Sequence, residues 1–233
     1  MLRAATQDEL KRAAAARAVT LIQSGMVVGL GTGSTVRPLL ELLGARLASR
    51  ELEDVVGVPT SENTASICRA LDIPLTTLEQ QPHLDLAIDG ADEIGPGLDL
   101  IKGLGGALLR EKLVAVAAKR FVVIADESKR VRRLGTRAPV PVEVVPFGWS
   151  THLDYLRRLG AEPALRRTSD GEPYRTDGGH FIVDCRFVRG IPDPRALARA
   201  LARRTGVVED GLFLGMAHLA IIAGTRGVRQ LKR

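Results

Sequence analysis

Short apolar runs alternate with helical patterns along the first half of the chain. The apolar runs are "MVVGL" (26–30), "DVVGVPTS" (54–61), "HLDLAIDG" (83–90) and "RFVVIAD" (120–126). Apolar residues at helical spacing predict helices at about 7–23, 36–48, 62–71 and 105–119. Strands that are apolar on both faces and alternate with helices are typical of a covered parallel sheet. We therefore predict an α/β fold with an open, mostly parallel, Rossmann-like sheet and helices on both faces.

The pattern changes after about Gly135. Prolines crowd "APVPVEVVPFGW", short strands follow through "GGHFIVDCRFV", and helices are predicted near 151–159 and 194–203. This segment predicts a smaller α+β lobe, and the apolar tail is expected to rejoin the first sheet. We predict a main catalytic domain of 1–135 with 207–233, and a lobe of 136–206.

Composition and charge narrow the class of partner. The 233 residues are 45% hydrophobic, which is enough for a core. The net charge of +6 comes mostly from dispersed arginines, including Arg157, Arg166 and Arg203, and only 3% of residues are aromatic. A dispersed basic excess without aromatic platforms argues against nucleic acid and fits small anionic substrates.

Cysteines, histidines and the N-terminal pattern exclude other classes. Cys68 and Cys185 lie in a helical and a strand pattern, so we expect both in the core and the protein in the cytoplasm. No run approaches the roughly 20 apolar residues of a membrane span, and the charged N-terminal stretch is no signal peptide. The four histidines show no ligand spacing, so no metal is expected. A G-x-S-x-G nucleophile motif is also missing from the sequence.

A glycine-rich turn, "GLGTGST" (29–35), joins the first predicted strand to a helix. Such turns let the backbone approach a phosphate, and Ser34 and Thr35 add hydroxyl donors. The dinucleotide pattern requires glycine where Ser34 stands, and no lysine follows to make a P-loop. A phosphate or sugar ligand is favoured, while a tight turn without a ligand stays open.

Carboxylates and one lysine gather after the third predicted strand. Asp89 and Asp92 follow that strand, Lys102 comes ten residues after Asp92, and Glu111 lies near a helix start. Each has an ordinary alternative: "DGAD" is good turn chemistry, and Lys102 and Glu111 could lie at the surface. Together they favour a catalytic cleft, because buried carboxylates need partners. Glu93 and Asp99 are expected to be surface or turn acids.

The motifs "GLGTGST", "DGADEI", "KGLGGALLREK", "VVIADESK", "PVPVEVVPF" and "GVVEDGLF" occur in the order found in ribose-5-phosphate isomerase type A. The chain resembles that family over nearly its whole length. One departure stands out: where the family usually reads "KGGGAAL", this chain has Leu104 in a glycine position and Gly106 in an alanine position. A side chain at position 104 would have to point away from a substrate bound to this loop.

The resemblance implies specific site residues. Glu111 matches the catalytic base, with Asp89 and Lys102 as further catalytic residues. Lys129, after the fourth predicted strand, matches a substrate-binding lysine, although a solvated basic turn is its alternative reading. The implied substrate-binding residues are Lys11, Thr32, Gly33, Ser34, Thr35, Asp89, Gly90, Ala91, Asp92, Lys102, Gly103, Leu104, Gly105 and Lys129.

The same resemblance implies reversible isomerisation of D-ribose 5-phosphate and D-ribulose 5-phosphate through an enediolate, in the pentose phosphate pathway. It implies no cofactor and no metal, and a homodimer or homotetramer. Two other classes have a similar fold and stay open as alternatives: a sugar-phosphate-sensing domain of a transcription regulator, and a related deaminase or acyl-CoA transferase. About 25 residues precede the first predicted strand, too few for a DNA-binding module of ordinary size. Glu111 and Lys102 together favour the enzyme.

Overall fold

A computed structural model describes residues 6–233 of the chain. Contacts divide the chain into two compact units. The first unit contains residues 6–91, 110–129 and 216–233, and the second contains 92–109 and 130–215. Residues 1–5, which the predicted main domain included, lie outside the described residues. The domain boundaries at residues 136 and 207 stay a prediction from the sequence.

Helices and strands alternate as the hydrophobic pattern predicts. The helices are α1 Gln7–Val19, α2 Arg37–Ala48, α3 Glu62–Ala70, α4 Leu108–Ala117, α5 Thr151–Arg158 and α6 Pro194–Ala202. The strands are β1 Val27–Leu30, β2 Val56–Pro59, β3 Leu86–Asp89, β4 Glu93–Ile94, β5 Leu100–Ile101, β6 Phe121–Asp126, β7 Val140–Val144, β8 Glu162–Leu165, β9 Phe181–Arg186, β10 Val207–Asp210, β11 Leu212–Phe213, β12 Leu219–Gly224 and β13 Gly227–Lys232.

The first unit contains a six-stranded sheet in the order β13-β12-β6-β3-β1-β2. All neighbouring strands are parallel except β12 and β13, which form an antiparallel hairpin at one edge. The tail rejoins this sheet as expected, since Ala220 of β12 pairs with Val123 of β6. The predicted α/β class with a mostly parallel sheet is therefore confirmed.

The helices α1, α2 and α3 share a hydrophobic core with this sheet. Thr6 caps α1 in a reciprocal capping box with Glu9, as the sequence predicts. The small residues Ala14 and Ala18 are fully buried and bring α1 close to the core. Cys68 is also fully buried, so its predicted place in the core is confirmed.

The second unit has antiparallel sheets. β10, β7, β9 and β8 form a four-stranded sheet in that order, and β11, β5 and β4 form a small three-stranded one. Its core is lined by apolar residues of β7, β9, α5 and α6 and includes Cys185, which is 1% exposed. This confirms the predicted lobe of short strands and two helices.

Glu93 does not behave as the sequence predicts. It is completely buried, and its carboxylate accepts backbone N–H groups from Gly135 at 2.6 Å, Arg137 at 2.5 Å and Ala138 at 2.8 Å. The expectation of a surface acid is wrong, because three donors replace the water that a buried carboxylate loses. Glu93 thus fixes the loop at 135–138.

No helix between residues 6 and 233 is long and apolar enough to cross a membrane. The same part of the chain holds no group of three or more His, Cys, Asp or Glu side chains arranged to bind a metal ion.

Candidate active site

The strand order of the first unit has a switch point between β1 and β3. The chain leaves β1 for β2 on one side and then returns to place β3 on the other side of β1. Ligands of open α/β sheets bind outside the carboxyl ends of the strands at such a point. The loops that begin there are Gly31–Thr35 after β1 and Gly90–Ala91 after β3, both of which the sequence predicted as substrate loops.

Asp89 joins these two loops. It is the last residue of β3, is 3% exposed, and its Oδ1 accepts the N–H of Thr32 at 3.0 Å and that of Gly90 at 2.7 Å. A Cβ at Gly31 would overlap this carboxylate, so only glycine fits there. Gly33, with φ of +113°, completes the turn, and Gly33 and Ser34 are exposed at the edge of the sheet.

A cluster of hydroxyl groups from the end of β2 and the start of α3 supports the glycine loop. Thr32 Oγ1 lies 2.8 Å from Thr60 Oγ1, 2.8 Å from Ser61 Oγ and 3.0 Å from Thr64 Oγ1. Thr64 Oγ1 also donates to the carbonyl of Gly31 at 2.8 Å. The sequence did not indicate Thr60, Ser61 and Thr64 as neighbours of this loop. The signal was the hydroxyl-rich "PTSENTAS" that follows β2.

Two lysines of the first unit lie on elements around the carboxyl end of β6. Lys129 ends a short 3-10 turn directly after that strand and is half-buried. Gln7 of α1 donates to Asp126, the last residue of β6, at 3.3 Å. Lys11 lies four residues after Gln7 and therefore on the same face of α1, with its side chain 14% exposed.

The local hydrogen bonds of Asp126 favour its ionised form. Burial raises the pKa of this carboxyl group. The hydrogen bonds from Ser128 and Gln7, together with the charge of Lys129, lower the pKa by more than burial raises it, so the net shift is downward. The carboxylate is therefore negative at neutral pH beside the positive Lys129.

The helix α4 positions Glu111. Glu111 is the fourth residue of α4 and is 4% exposed. The helix packs closely on β1, because a Cβ at Gly29 would overlap the side chain of Val114. At the side of α4, Arg110 forms an ion pair with Glu62 of α3 at 2.8 Å. A carboxylate in the first turn is also favoured by the helix dipole.

In the second unit, Lys102 follows β5 and is 2% exposed. Its N–H donates to the carbonyl of Gly211 at 2.9 Å, and its Nζ lies 5.4 Å from the centre of the Phe213 ring. A Cβ at Gly211 would overlap the Lys102 carbonyl, which explains the glycine of "EDGLF". A fully buried lysine is rare unless its charge has a function or compensation.

Asp92 holds the loop that follows Lys102. Its Oδ2 accepts the N–H of Leu104 at 2.9 Å, and its own N–H donates to Ile101 at 2.8 Å. Gly103 and Gly106 have φ of +104° and +84°, so the two glycines form the turn, whereas Leu104 is not among the described residues with positive φ. The Leu104 side chain is 43% exposed.

The predicted site residues therefore fall into two groups. The structure places the following in the first unit: Lys11, Thr32, Gly33, Ser34, Thr35, Asp89, Gly90, Ala91, Glu111 and Lys129. The second unit contains Asp92, Lys102, Gly103, Leu104 and Gly105. The chain itself links the groups, since Ala91 precedes Asp92 and the loop after Lys102 leads directly into α4.

Comparison with known proteins identifies the chain. An open parallel sheet with glycine and carboxylate loops at its switch point defines an α/β protein with a ligand site at the carboxyl edge. The family model for ribose 5-phosphate isomerase A (phosphoriboisomerase A) matches residues 56–227. The chain belongs to this family.

Relatives and solved structures agree with this assignment. A ribose-5-phosphate isomerase A of Synechococcus sp. (strain JA-3-3Ab) is 57% identical over 230 residues, covering 98% of this chain and 99% of the relative. One from Roseiflexus castenholzii is 58% identical over 222 residues, with 95% and 94% covered. A structure of D-ribose-5-phosphate isomerase in complex with phospho-erythronic acid superposes with a TM-score of 0.96 at 40% identity, covering 98% of this chain and 100% of that one. The protein is an isomerase of ribose 5-phosphate.

Proposed function

We propose that this isomerase interconverts D-ribose 5-phosphate and D-ribulose 5-phosphate through an enediolate, with Glu111 as the base that moves the proton. The observation that carries the proposal is the burial of two opposite charges in one short segment. Lys102 is 2% exposed and Glu111 is 4% exposed, and a glycine loop and the first turn of α4 join them. Burying such groups is costly, so a function for both is favoured.

The chemistry requires one base that can reach two neighbouring carbons. In the forward direction Glu111 takes the proton from C2 of the open-chain aldose and returns it to C1, while a proton moves from the hydroxyl on C2 to the oxygen on C1. The electrons stay within the substrate, so the proposal includes no redox cofactor. A water-excluded carboxylate is a stronger base than an exposed one.

The enediolate places negative charge on the oxygens of C1 and C2. We propose that Lys102 stabilises that charge, together with N–H groups of the loop at 103–105, because preorganised donors act strongly in a dry site. Asp92 contributes indirectly, since its bond to the Leu104 N–H holds this loop.

The remaining predicted residues are proposed to bind the substrate. Asp89 would accept hydrogen bonds from sugar hydroxyls and assist ring opening while it holds the glycine loop through Thr32. The exposed Gly33 and Ser34, with Thr35, offer N–H and hydroxyl donors at the switch point. Lys129 and Lys11 would supply positive charge for the phosphate or for neighbouring hydroxyls.

The ligand bound in the related structure supports the proposed placement of positive groups and N–H donors around the substrate. Phospho-erythronic acid, in complex with that isomerase, carries a phosphate and a carboxylate. A carboxylate has two oxygens that share one negative charge in a plane, as an enediolate does. We propose that the same compound binds this protein at the residues assigned above.

Replacement of the base tests the mechanism. We expect Glu111→Gln to lower kcat by about 10²–10⁴-fold, the usual contribution of a general base, and to change the KM for ribose 5-phosphate much less. The matched control is Glu79→Gln, an exposed carboxylate of the same unit that lies outside the predicted site. A Glu111→Gln enzyme with wild-type kcat would show that another residue moves the proton.

Two further properties are proposals. The assay is expected to proceed unchanged with EDTA present, since the mechanism uses only side chains and backbone groups. We also propose a cytoplasmic homodimer or homotetramer. Sedimentation at twice or four times the 25.0 kDa of one chain would support the assembly, and a monomer that is fully active would contradict it.

A further inference from the structure

Arg166 contacts the loop that follows Lys102, although the sequence identified it only as one of many dispersed arginines. Arg166 Nη1 donates to the carbonyl of Gly103 at 3.0 Å and to that of Leu104 at 3.0 Å. The other side of the guanidinium meets Asp184, with Nε to Oδ2 at 2.9 Å and Nη2 to Oδ1 at 2.5 Å. One side chain thus connects two loop carbonyls to a carboxylate of β9.

Arg166 is anchored in the antiparallel sheet of the second unit. Arg166 directly follows β8, its N–H donates to Ile182 of β9 at 2.8 Å, and its side chain is only 12% exposed. Its guanidinium also lies 5.8 Å from the centre of the Tyr174 ring. Tyr174 in turn lies against Gly106, where a Cβ would overlap the tyrosine hydroxyl. The loop therefore rests on polar side chains of the second unit, Arg166 and Tyr174.

The bonds of Arg166 determine which way two peptide groups face. In a trans peptide the C=O and the following N–H point in opposite directions. The Gly103–Leu104 peptide is held at both ends, by Arg166 at its carbonyl and by Asp92 at its N–H. The Leu104–Gly105 peptide is held by Arg166 at its carbonyl, so the N–H of Gly105 points away from Arg166. Within residues 6–233 this N–H has no hydrogen-bond acceptor.

We infer that Arg166, held by Asp184, is a positioning residue that aims the N–H of Gly105 at an anionic oxygen of the substrate. The inference rests on the proposed role of this loop in stabilising the enediolate. Arginine suits the task because its planar guanidinium binds a carboxylate through Nε and Nη2 while Nη1 donates to carbonyl groups. Lysine keeps the charge but cannot make both sets of bonds.

The test compares Arg166→Lys with a matched control. Arg204→Met removes an arginine of the same unit that donates to the carbonyl of Thr151 at 3.1 Å and lies 4.9 Å from the centre of the Tyr155 ring. Three quantities are measured for each variant: kcat, the KM for ribose 5-phosphate, and the Kd of phospho-erythronic acid by titration calorimetry.

We expect Arg166→Lys to lower kcat by about 10- to 100-fold, the size of effect that a misplaced catalytic group produces. The Kd of phospho-erythronic acid should rise by a similar factor, whereas KM should change by no more than about threefold. Arg204→Met should leave all three quantities near their wild-type values. A loss of folded structure alone would lower the active fraction of enzyme without weakening the Kd of the remainder.

Asp184→Asn is the second variant, in case Arg166→Lys folds poorly. It keeps the size of the side chain but removes the charge that fixes Arg166, so kcat and the Kd of phospho-erythronic acid should move in the same directions by smaller factors. Normal kcat and Kd in both variants, or equal losses in Arg166→Lys and Arg204→Met, would overturn the inference. An active Glu111→Gln enzyme would instead refute the proposed base, and it would leave the Kd comparison intact.

Discussion

At the scale of single residues, the structure leaves Leu104 unconstrained but tightly constrains Gly106 in the loop after Lys102. Leu104 has an ordinary backbone conformation and an exposed side chain, so its substitution for glycine requires no strain. Gly106 is the constrained position, because it combines φ of +84° with the Tyr174 hydroxyl where a Cβ would lie. An alanine at position 106 therefore would not fit this chain unless Tyr174 moved.

Gly106→Ala tests this reading of the loop. Alanine at positive φ costs about 1–2 kcal/mol, and the overlap with Tyr174 should add about 1–3 kcal/mol to the loss in free energy of unfolding. Gly171→Ala is the control, since Gly171 has φ of +88° and nothing within 4 Å of a Cβ there. Urea unfolding measures both variants. Equal losses would show that Tyr174 does not constrain the loop.

At the scale of elements, the contact of α4 with β1 determines where Glu111 lies. Gly29 lets the helix approach until Val114 occupies the space of its missing side chain. Because Glu111 lies one turn before Val114 and Ala115 on the same helix, a displacement of α4 moves the proposed base. Gly29 is therefore required for the packing of α4 on β1, independently of the substrate loop that follows β1.

Gly29→Ala should therefore lower both stability and activity. Overpacking costs about 1–3 kcal/mol in unfolding free energy, and a displaced base should lower kcat by about tenfold or more. The double variant Gly29→Ala/Val114→Ala removes the overlapping methyl groups and should recover most of kcat. Steady-state kinetics and urea unfolding measure both. If the double variant is no more active than Gly29→Ala, the position of α4 does not depend on this contact.

At the scale of the whole molecule, a buried histidine makes stability depend on pH. His152 is 3% exposed, and burial, followed by the charge of Arg204, lowers its pKa. The unfolded chain then binds more protons than the folded chain between the lowered value and the ordinary value of about 6.5. Stability is complete above the unfolded pKa and decreases as the pH falls through that window.

We expect the free energy of unfolding to decrease from pH 7.5 to pH 5, and His152→Leu to make this dependence weaker. The pKa of Asp85 is lowered mainly by its hydrogen bond with Lys119. Burial raises the pKa of Asp126, but its hydrogen bonds, chiefly those from Ser128, outweigh burial, so this pKa is lowered as well. Their stabilising contributions are lost only at more acidic pH, below about 4. Urea unfolding across the range measures the slope, with His83→Gln as an exposed control. An unchanged slope in His152→Leu would exclude this residue.

Periodicity and turn chemistry made much of this architecture predictable. The runs ending at Leu30, Asp89 and Asp126 are buried parallel strands, because a strand covered on both faces must be apolar throughout. The capping pattern at Thr6 also appears as predicted. These features depend on residues close in sequence, which is the range that a pattern can describe.

The partners of individual side chains were decided only by the tertiary structure. Glu93 has the sequence context of a turn acid, yet it is buried because the loop at 135–138 brings three N–H groups to it. Arg166 looks like any surface arginine until β8 and β9 place Asp184 beside it and the loop carbonyls in front of it. The sequence by itself determined the elements, the family and the chemical groups at the ends of the strands. Only the fold decided which charges are buried together, because hydrogen bonds and close packing join residues that are far apart along the chain.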